Sequence, residues 1–449
     1  MRGWRSTAAL AVIFVGLMAY IYFVESKRTP SSEAAEKKQK VFSIEQDKIS
    51  DLVVKSASGD RTSLKKVGGR WQIDQPLGLK PDDSEVSGIT SNISTVEIQR
   101  VVDENPPDLK EYGLAPPRVD VGFKTSGDKD FKHLLIGEKT ATGGDLYAKL
   151  PNEKRVFLIS GFLDSSFNRS TFDLRDKAIL KFDREKVESL DLSTPTGVVA
   201  LAKSGPDWKL VKPVQGRADY STVEGVIGRL QTAQMKSVVS AEGGDLKQYG
   251  LDHPEVSATV AAGSARATLA LGNKTSDGNV YARDLSRPAV FTVESSLADE
   301  LKKPASEYRR KDVFEFRAFN ANRIEIARGG QIIVFEKVKG QGKDAQDKWR
   351  RVPAGGGAPT DISLTAMEGA LTKLANLRAQ SFADAKTNTG LNTPVATISV
   401  TFDDAKKQEK VTVGKSGEDT YVARPDEPGA AKIDTKEFDE AIKALDEVK

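Results

Sequence analysis

Gly137, Lys139 and Thr140 follow an apolar run in "LLIGEKTATGGDLYAKL" (134–150), and these are residue types that hold a nucleotide phosphate at the mouth of a helix. A phosphate loop needs GxxxxGK[ST] and an immediate helix, whose free N–H groups and dipole take the anion. Here the spacing is GxK[ST], and Asp145-Leu146-Tyr147-Ala148 alternates like a returning strand. The same text recurs as "LALGNKTSDGNVYAR" (269–283) and more loosely as "VTVGKSGEDTYVAR" (411–424). The three stretches read as hairpin turns, and no nucleotide partner is expected.

Other reactive groups are sparse. The chain has no cysteine and two histidines, His133 and His253, which removes disulfides, thiol nucleophiles and Cys- or His-rich metal sites. Asp82, Asp83 and Glu85 stand together, but at a helix start, where carboxylates cap free N–H groups and offset the dipole. Arg175 and Lys177 match Arg309 and Lys311 in "DLRDKAILKF" and "EYRRKDVFEF"; ion pairs or solvated strand flanks account for them. With 67 basic against 64 acidic residues, no nucleic-acid footprint is present. Neither a cofactor, a metal nor enzyme activity is expected.

What does recur is a set of packing and turn residues. From Trp71, Trp208 and Trp349, offsets of 15, 18, 22 and 25 reach Val86, Ile89, Ile93, Val96; Val223, Val226, Leu230, Ala233; and Leu364, Met367, Leu371, Leu374. That spacing is one apolar face of a helix, three times over. A further 42, 42 and 41 residues beyond the tryptophans stand "EYGLAPP", "QYGLDHP" and "NTGLNTP". Gly113, Gly250 and Gly390 supply a left-handed turn, and Pro117, Pro254 and Pro394 mark the start of the next strand. Tyr147, Tyr281 and Tyr421 recur on the hairpin strands.

At the amino end, Thr7 to Val24 form 18 uncharged residues, roughly 27 Å as a helix and sufficient for a bilayer core. Bulky Tyr20, Tyr22 and Phe23 occupy the place of a cleavage site, so an uncleaved anchor is expected, with residues 25–449 outside the cytoplasm. The expected organisation is an anchor at 1–24, a hydrated linker at 25–41, and repeats at 42–181, 182–315 and 316–449. The expected fold class is α+β: one N-terminal transmembrane helix, then three tandem repeats, each an antiparallel β-sheet with one long and one short helix.

The opening "MRGWRSTAALAVIFVGLMAYIYFVESKR", the strands at Trp71 and Trp208, the YGL turns at Tyr112 and Tyr249, the hairpins with their Tyr-Ala strands and the "RDK" at Arg175 resemble bacterial proteins of the domain-of-unknown-function family 4340. The third repeat departs from that pattern, with Thr389 in place of the tyrosine. Members are commonly encoded beside ABC transporter subunits and gliding-motility-type auxiliary proteins, and no catalytic residues come with the family. The resemblance implies a non-enzymatic accessory or scaffolding subunit of such a system, anchored through residues 7–24 in the bacterial inner membrane and binding transporter or auxiliary envelope partners. The alternative is a carbohydrate- or peptidoglycan-binding envelope module that uses Tyr147, Tyr281 and Tyr421 as platforms.

Overall fold

A computed structural model describes residues 39–448 except 77, 341–346, 354–356 and 385. It divides into two compact units, Met1–Lys177 and Ala178–Lys449. The first holds one sheet, built from β1 (Ile49–Lys55), β2 (Arg61–Val67), β3 (Arg70–Gln75), β4 (Arg100–Asp103), β5 (Val119–Thr125), β6 (Lys132–Lys139), β7 (Asp145–Lys149) and β8 (Val156–Ser160). Its order is β3-β2-β1-β5-β6-β7-β8-β4, with every pairing antiparallel.

The second unit repeats that plan twice. One sheet comprises β9 (Ser189–Thr194), β10 (Gly197–Ser204), β11 (Asp207–Lys212), β12 (Gly216–Arg217), β13 (Ser237–Ser240), β14 (Val256–Ala262), β15 (Ala265–Lys274), β16 (Val280–Asp284) and β17 (Val290–Val293). Its order is β12-β11-β10-β9-β14-β15-β16-β17-β13. The other comprises β18 (Ala321–Arg328), β19 (Gln331–Val338), β20 (Lys348–Val352), β21 (Thr360–Ile362), β22 (Ala379–Phe382), β23 (Ala396–Phe402), β24 (Lys407–Ser416), β25 (Asp419–Ala423) and β26 (Ala431–Ile433), ordered β21-β20-β19-β18-β23-β24-β25-β26-β22.

One helix follows the outer strand of each sheet, for a local reason. Asp82 and Asp219 sit in extended geometry, and they and Ser363 accept backbone N–H groups of the first turn, so α1 (Asp83–Thr95), the later Tyr220–Thr232 helix and the Leu364–Ala375 helix each start at a side-chain cap. The first buries Val86, Ile89 and Ile93; the second Val223, Val226 and Leu230; the third Met367, Leu371 and Leu374. Two short helices, α2 (Leu163–Phe167) and α3 (Thr171–Leu174), complete the first repeat. With Tyr220–Thr232 as α4, the second ends in α5 (Ser295–Leu301) and α6 (Ala305–Tyr308). With Leu364–Ala375 as α7, the third ends instead in one helix, α8 (Thr435–Glu447), which buries Phe438, Ala441 and Leu445.

These elements correct the expected class. The described residues are mostly β, with 42% strand against 22% helix, and the body of each repeat is a large antiparallel sheet. An α+β reading undercounts the short edge strands β4, β13 and β22, which are only four residues each and too brief to show alternation. Among the described residues no helix is long and apolar enough to cross a membrane, and the expected N-terminal transmembrane helix, at 7–24, falls outside them. Residues 39–41, assigned to the linker, run beside the end of α1: Val41 donates to Val96 O at 2.9 Å, and Ile98 donates to Gln39 O at 2.8 Å.

One steric constraint recurs in all three sheets. Gly113, Gly250 and Gly390 take φ of +65°, +67° and +67°, and the carbonyl just before each points at a glycine on the facing hairpin strand. A Cβ on Gly137 would lie 1.9 Å from Tyr112 O, one on Gly272 2.1 Å from Tyr249 O, and one on Gly414 2.4 Å from Thr389 O. No side chain fits there, because the acceptor is backbone and cannot swing away.

Gly272→Ala is therefore expected to lower the urea midpoint by the equivalent of about 1–3 kcal/mol, as overpacking does. Gly225→Ala, on the exposed face of α4 where an added Cβ meets nothing within 4 Å, is expected to raise stability by about 0.5–1 kcal/mol. Equal behaviour of the two variants in parallel urea titrations would contradict the constraint.

Candidate functional site

The apparent phosphate loop is the β6–β7 hairpin. Gly137 serves the approach of the Tyr112 carbonyl, and Thr140 closes the turn by donating to Asp145 O at 2.9 Å. The chain returns as β7 and gives no helix N-terminus for an anion.

The repeated aromatics are placed among protein groups. Tyr147 meets Tyr112 edge-on at 5.0 Å between centroids, and Tyr281 meets Tyr249 at 5.0 Å. Thr389 replaces that partner in the third repeat, and Tyr421 is buried, its hydroxyl donating to Asp419 at 3.4 Å. Trp208 and Trp349 are fully buried. Nε1 of Trp208 donates to Glu224 at 3.0 Å, whereas Nε1 of Trp349 has no hydrogen-bond partner. Trp71 alone is half-exposed, beside Lys66 Nζ at 5.2 Å and along a cleft of about 420 Å³ that includes Arg70, Lys80 and Asp83. Pro117 is half-buried, and Pro254 and Pro394 are exposed at their turns.

The acidic group at the first helix separates into roles: Asp82 caps α1, accepting from Ser84 N at 3.0 Å, and Glu85 pairs with Arg169 at 2.8 Å. His133 Nδ1 lies 2.7 Å from Asp120 across two strands, and His253 is almost fully exposed. Among the described residues no cluster of His, Asp or Glu could hold a metal ion.

The densest polar site is one the sequence reading missed, at the junction of the second and third repeats. The chain leaves α6 extended and serves both: Arg309 bridges to Ala218, and three residues on Asp312 bridges to Arg378. Arg309 is buried, and its guanidinium lies 3.7 Å from the centroid of the Phe382 ring. Glu427, in the loop after β25, accepts from Arg217 Nε in a short contact and from Arg309 Nη2 at 3.5 Å. Arg217 also reaches Glu315 at 3.3 Å and Asp312 O at 3.0 Å.

A second carboxylate anchors the same segment from the sheet. Glu409 on β24 is almost wholly buried and accepts from Glu315 N at 2.9 Å, Phe316 N at 2.9 Å and Arg424 Nη1 at 2.7 Å. Arg424 adds Val313 O at 3.1 Å and both oxygens of Asp426. Burial opposes its charge, but hydrogen bonds to Asp426 and Glu409 outweigh that and hold Arg424 above its ordinary range. Arg309 goes the other way: burial lowers it, beyond what the nearby Glu427 restores, and its Nε has no protein partner. Beside them lies a cavity of about 30 Å³, room for a water-sized guest and not for a substrate. Chemically, the arrangement fixes two repeats against each other by paired charges that burial makes costly to separate.

No motif marks these residues. Glu427 lies 118 positions from Arg309 and 210 from Arg217, and only the recurrence of arginine at 175 and 309 signals the place.

Comparison with known proteins adds a family. The sequence model described as Domain of unknown function (DUF4340) matches twice, over residues 71–215 and 208–394, each match beginning on a repeat tryptophan. No curated protein matches. Two crystal structures of the DNA polymerase sliding clamp from Pseudomonas aeruginosa, one with ligand, align over 87% and 88% of this chain and 92% and 93% of their own, at 7% and 8% identity. Their TM-scores of 0.14 and 0.15 are too low for that similarity to carry an argument.

Two outcomes are expected from this geometry. Glu427→Ala takes the carboxylate partner from buried Arg309 and leaves Arg217 with Glu315 and Asp312 O, and should cost about 3 kcal/mol in chemical denaturation, as breaking a buried pair does; a change under about 0.5 kcal/mol would contradict it. The acid limb of stability should also respond to Asp219 and Asp426. Burial raises both carboxyls, but hydrogen bonds from Thr222 and from Arg424 outweigh it and hold them below the usual carboxylate range. A depressed folded pKa gives stability that is present above the unfolded value near pH 4 and lost as pH falls below it. Denaturation midpoints between pH 2.5 and 7 should therefore fall less steeply on the acid side for Asp219→Asn than for the native chain.

Proposed function

The chain belongs to the DUF4340 family, and from that premise we propose that it is a non-enzymatic accessory subunit of an ABC-transporter-type system. It acts on the extracytoplasmic side of the bacterial inner membrane and binds its partners through the tandem repeats. The observation that carries this reading is what recurs at equivalent positions: turn glycines, a strand glycine without room for Cβ, capped helices and buried aliphatics. A catalytic site would need polar groups held in one place. Here, apart from the helix caps and the match of Arg175 and Lys177 with Arg309 and Lys311, the polar groups differ from repeat to repeat, as on a scaffold whose surfaces serve different contacts.

Affinity purification of the tagged, crosslinked full chain from its native membranes, read by mass spectrometry, tests the proposal. ABC transporter subunits are the expected enrichment. Recovery of cell-wall material with no transporter component would overturn it and favour the carbohydrate-binding alternative.

A further inference from the structure

The outer edge of each sheet next to its helix is treated differently in the third repeat. In the first, Asp82 N donates to Leu174 O and Asp176 N to Lys80 O, both at 2.9 Å. In the second, Asp219 N donates to Tyr308 O at 2.8 Å and Arg310 N to Arg217 O at 2.9 Å. An extended segment thus lies along 80–82 and along 217–219 with the same two bonds, centred on the Pro81–Arg175 and Ala218–Arg309 bridges. The residue leading it, Leu174 or Tyr308, is fully buried, and the next is arginine.

The equivalent strand of the third repeat is β21 with its following cap residue. The register fixes the equivalence: Trp349 pairs with Ile362, as Ala218 N donates to Trp208 O at 3.1 Å. Asp361 C=O then corresponds to Arg217 C=O, and Ser363 N–H to Asp219 N–H. No described residue pairs with that outer edge, and Thr360, Asp361 and Ser363 are exposed. The edge also changes sign, since Asp361 stands where Lys80 and Arg217 stand, with only surface pairs to Arg350 and Lys348 at 2.9 and 3.5 Å.

We infer that the β21 edge is a strand-acceptor site for a partner protein, taking an extended segment with an aliphatic or aromatic residue directly before a basic one. The inference rests on the partner-binding reading above and names the surface. Strand addition supplies affinity through backbone bonds, while the two resident segments show which side chains suit the seat. Asp361 favours a basic occupant over an acidic one.

The test uses the full chain and a fluorescein-labelled peptide of residues 304–311, "PASEYRRK". Saturable binding in fluorescence anisotropy is expected, with slowed amide exchange confined to residues 360–363. Ser363→Pro removes the donor at a φ of −57° that proline accepts, and should weaken binding at least tenfold. Ser363→Ala loses the helix cap but keeps the N–H, and should change binding less than twofold. Absence of saturable binding, equal binding by the two variants, or protection at residues 216–219 in place of 360–363 would overturn the inference. The exchange footprint on the native chain decides the matter even if the proline variant misfolds. A negative result here leaves the membrane purification free to succeed, so the two failures are distinguishable.

Discussion

The fold depends on a place where a side chain cannot be. In each repeat a backbone carbonyl is pressed against a strand glycine, and a left-handed glycine turns the chain immediately after. The contact seats the turn on the central hairpin and brings the following strand beside the first strand of the sheet, as β5 beside β1. From that register the alternation follows: Val119, Val121 and Phe123 fall on the helix-covered face and are buried, with Asp120 and Lys124 on the other.

Between the second and third repeats the constraint is electrostatic. The segment 309–316 carries backbone N–H groups to Glu409 and places Arg309 against Phe382 and Glu427. Such a cluster does not make a protein stable by itself, because desolvation offsets the attraction. Its effect is on arrangement: any rotation of one repeat on the other would leave charges buried without partners.

Parts of this were legible in the sequence and parts were not. The cap residues and the apolar offsets located α1 and α4, where Val86, Ile89 and Ile93 and Val223, Val226 and Leu230 are buried. The third helix was shifted: α7 begins 15 residues after its tryptophan against 12 in the others, so Leu364 is only half-buried at its first turn. Strand dominance was hidden because β4, β13 and β22 are short and half polar. The junction cluster was hidden for another reason. Ion pairs between residues more than a hundred positions apart leave no periodicity, and a buried Glu409 looks like any charged residue on a strand.

Recurring packing, and the charged junction it positions, hold the second and third repeats together as one unit. Native-state hydrogen exchange on the full chain tests this most directly, read at Val313 and Ala379, whose amides tie the connecting segment to its neighbours through Leu377 O and Lys311 O. These amides are expected to exchange as slowly as the central strands β14 and β23. Rapid exchange there, while both sheets stay protected, would show a hinge and contradict that expectation.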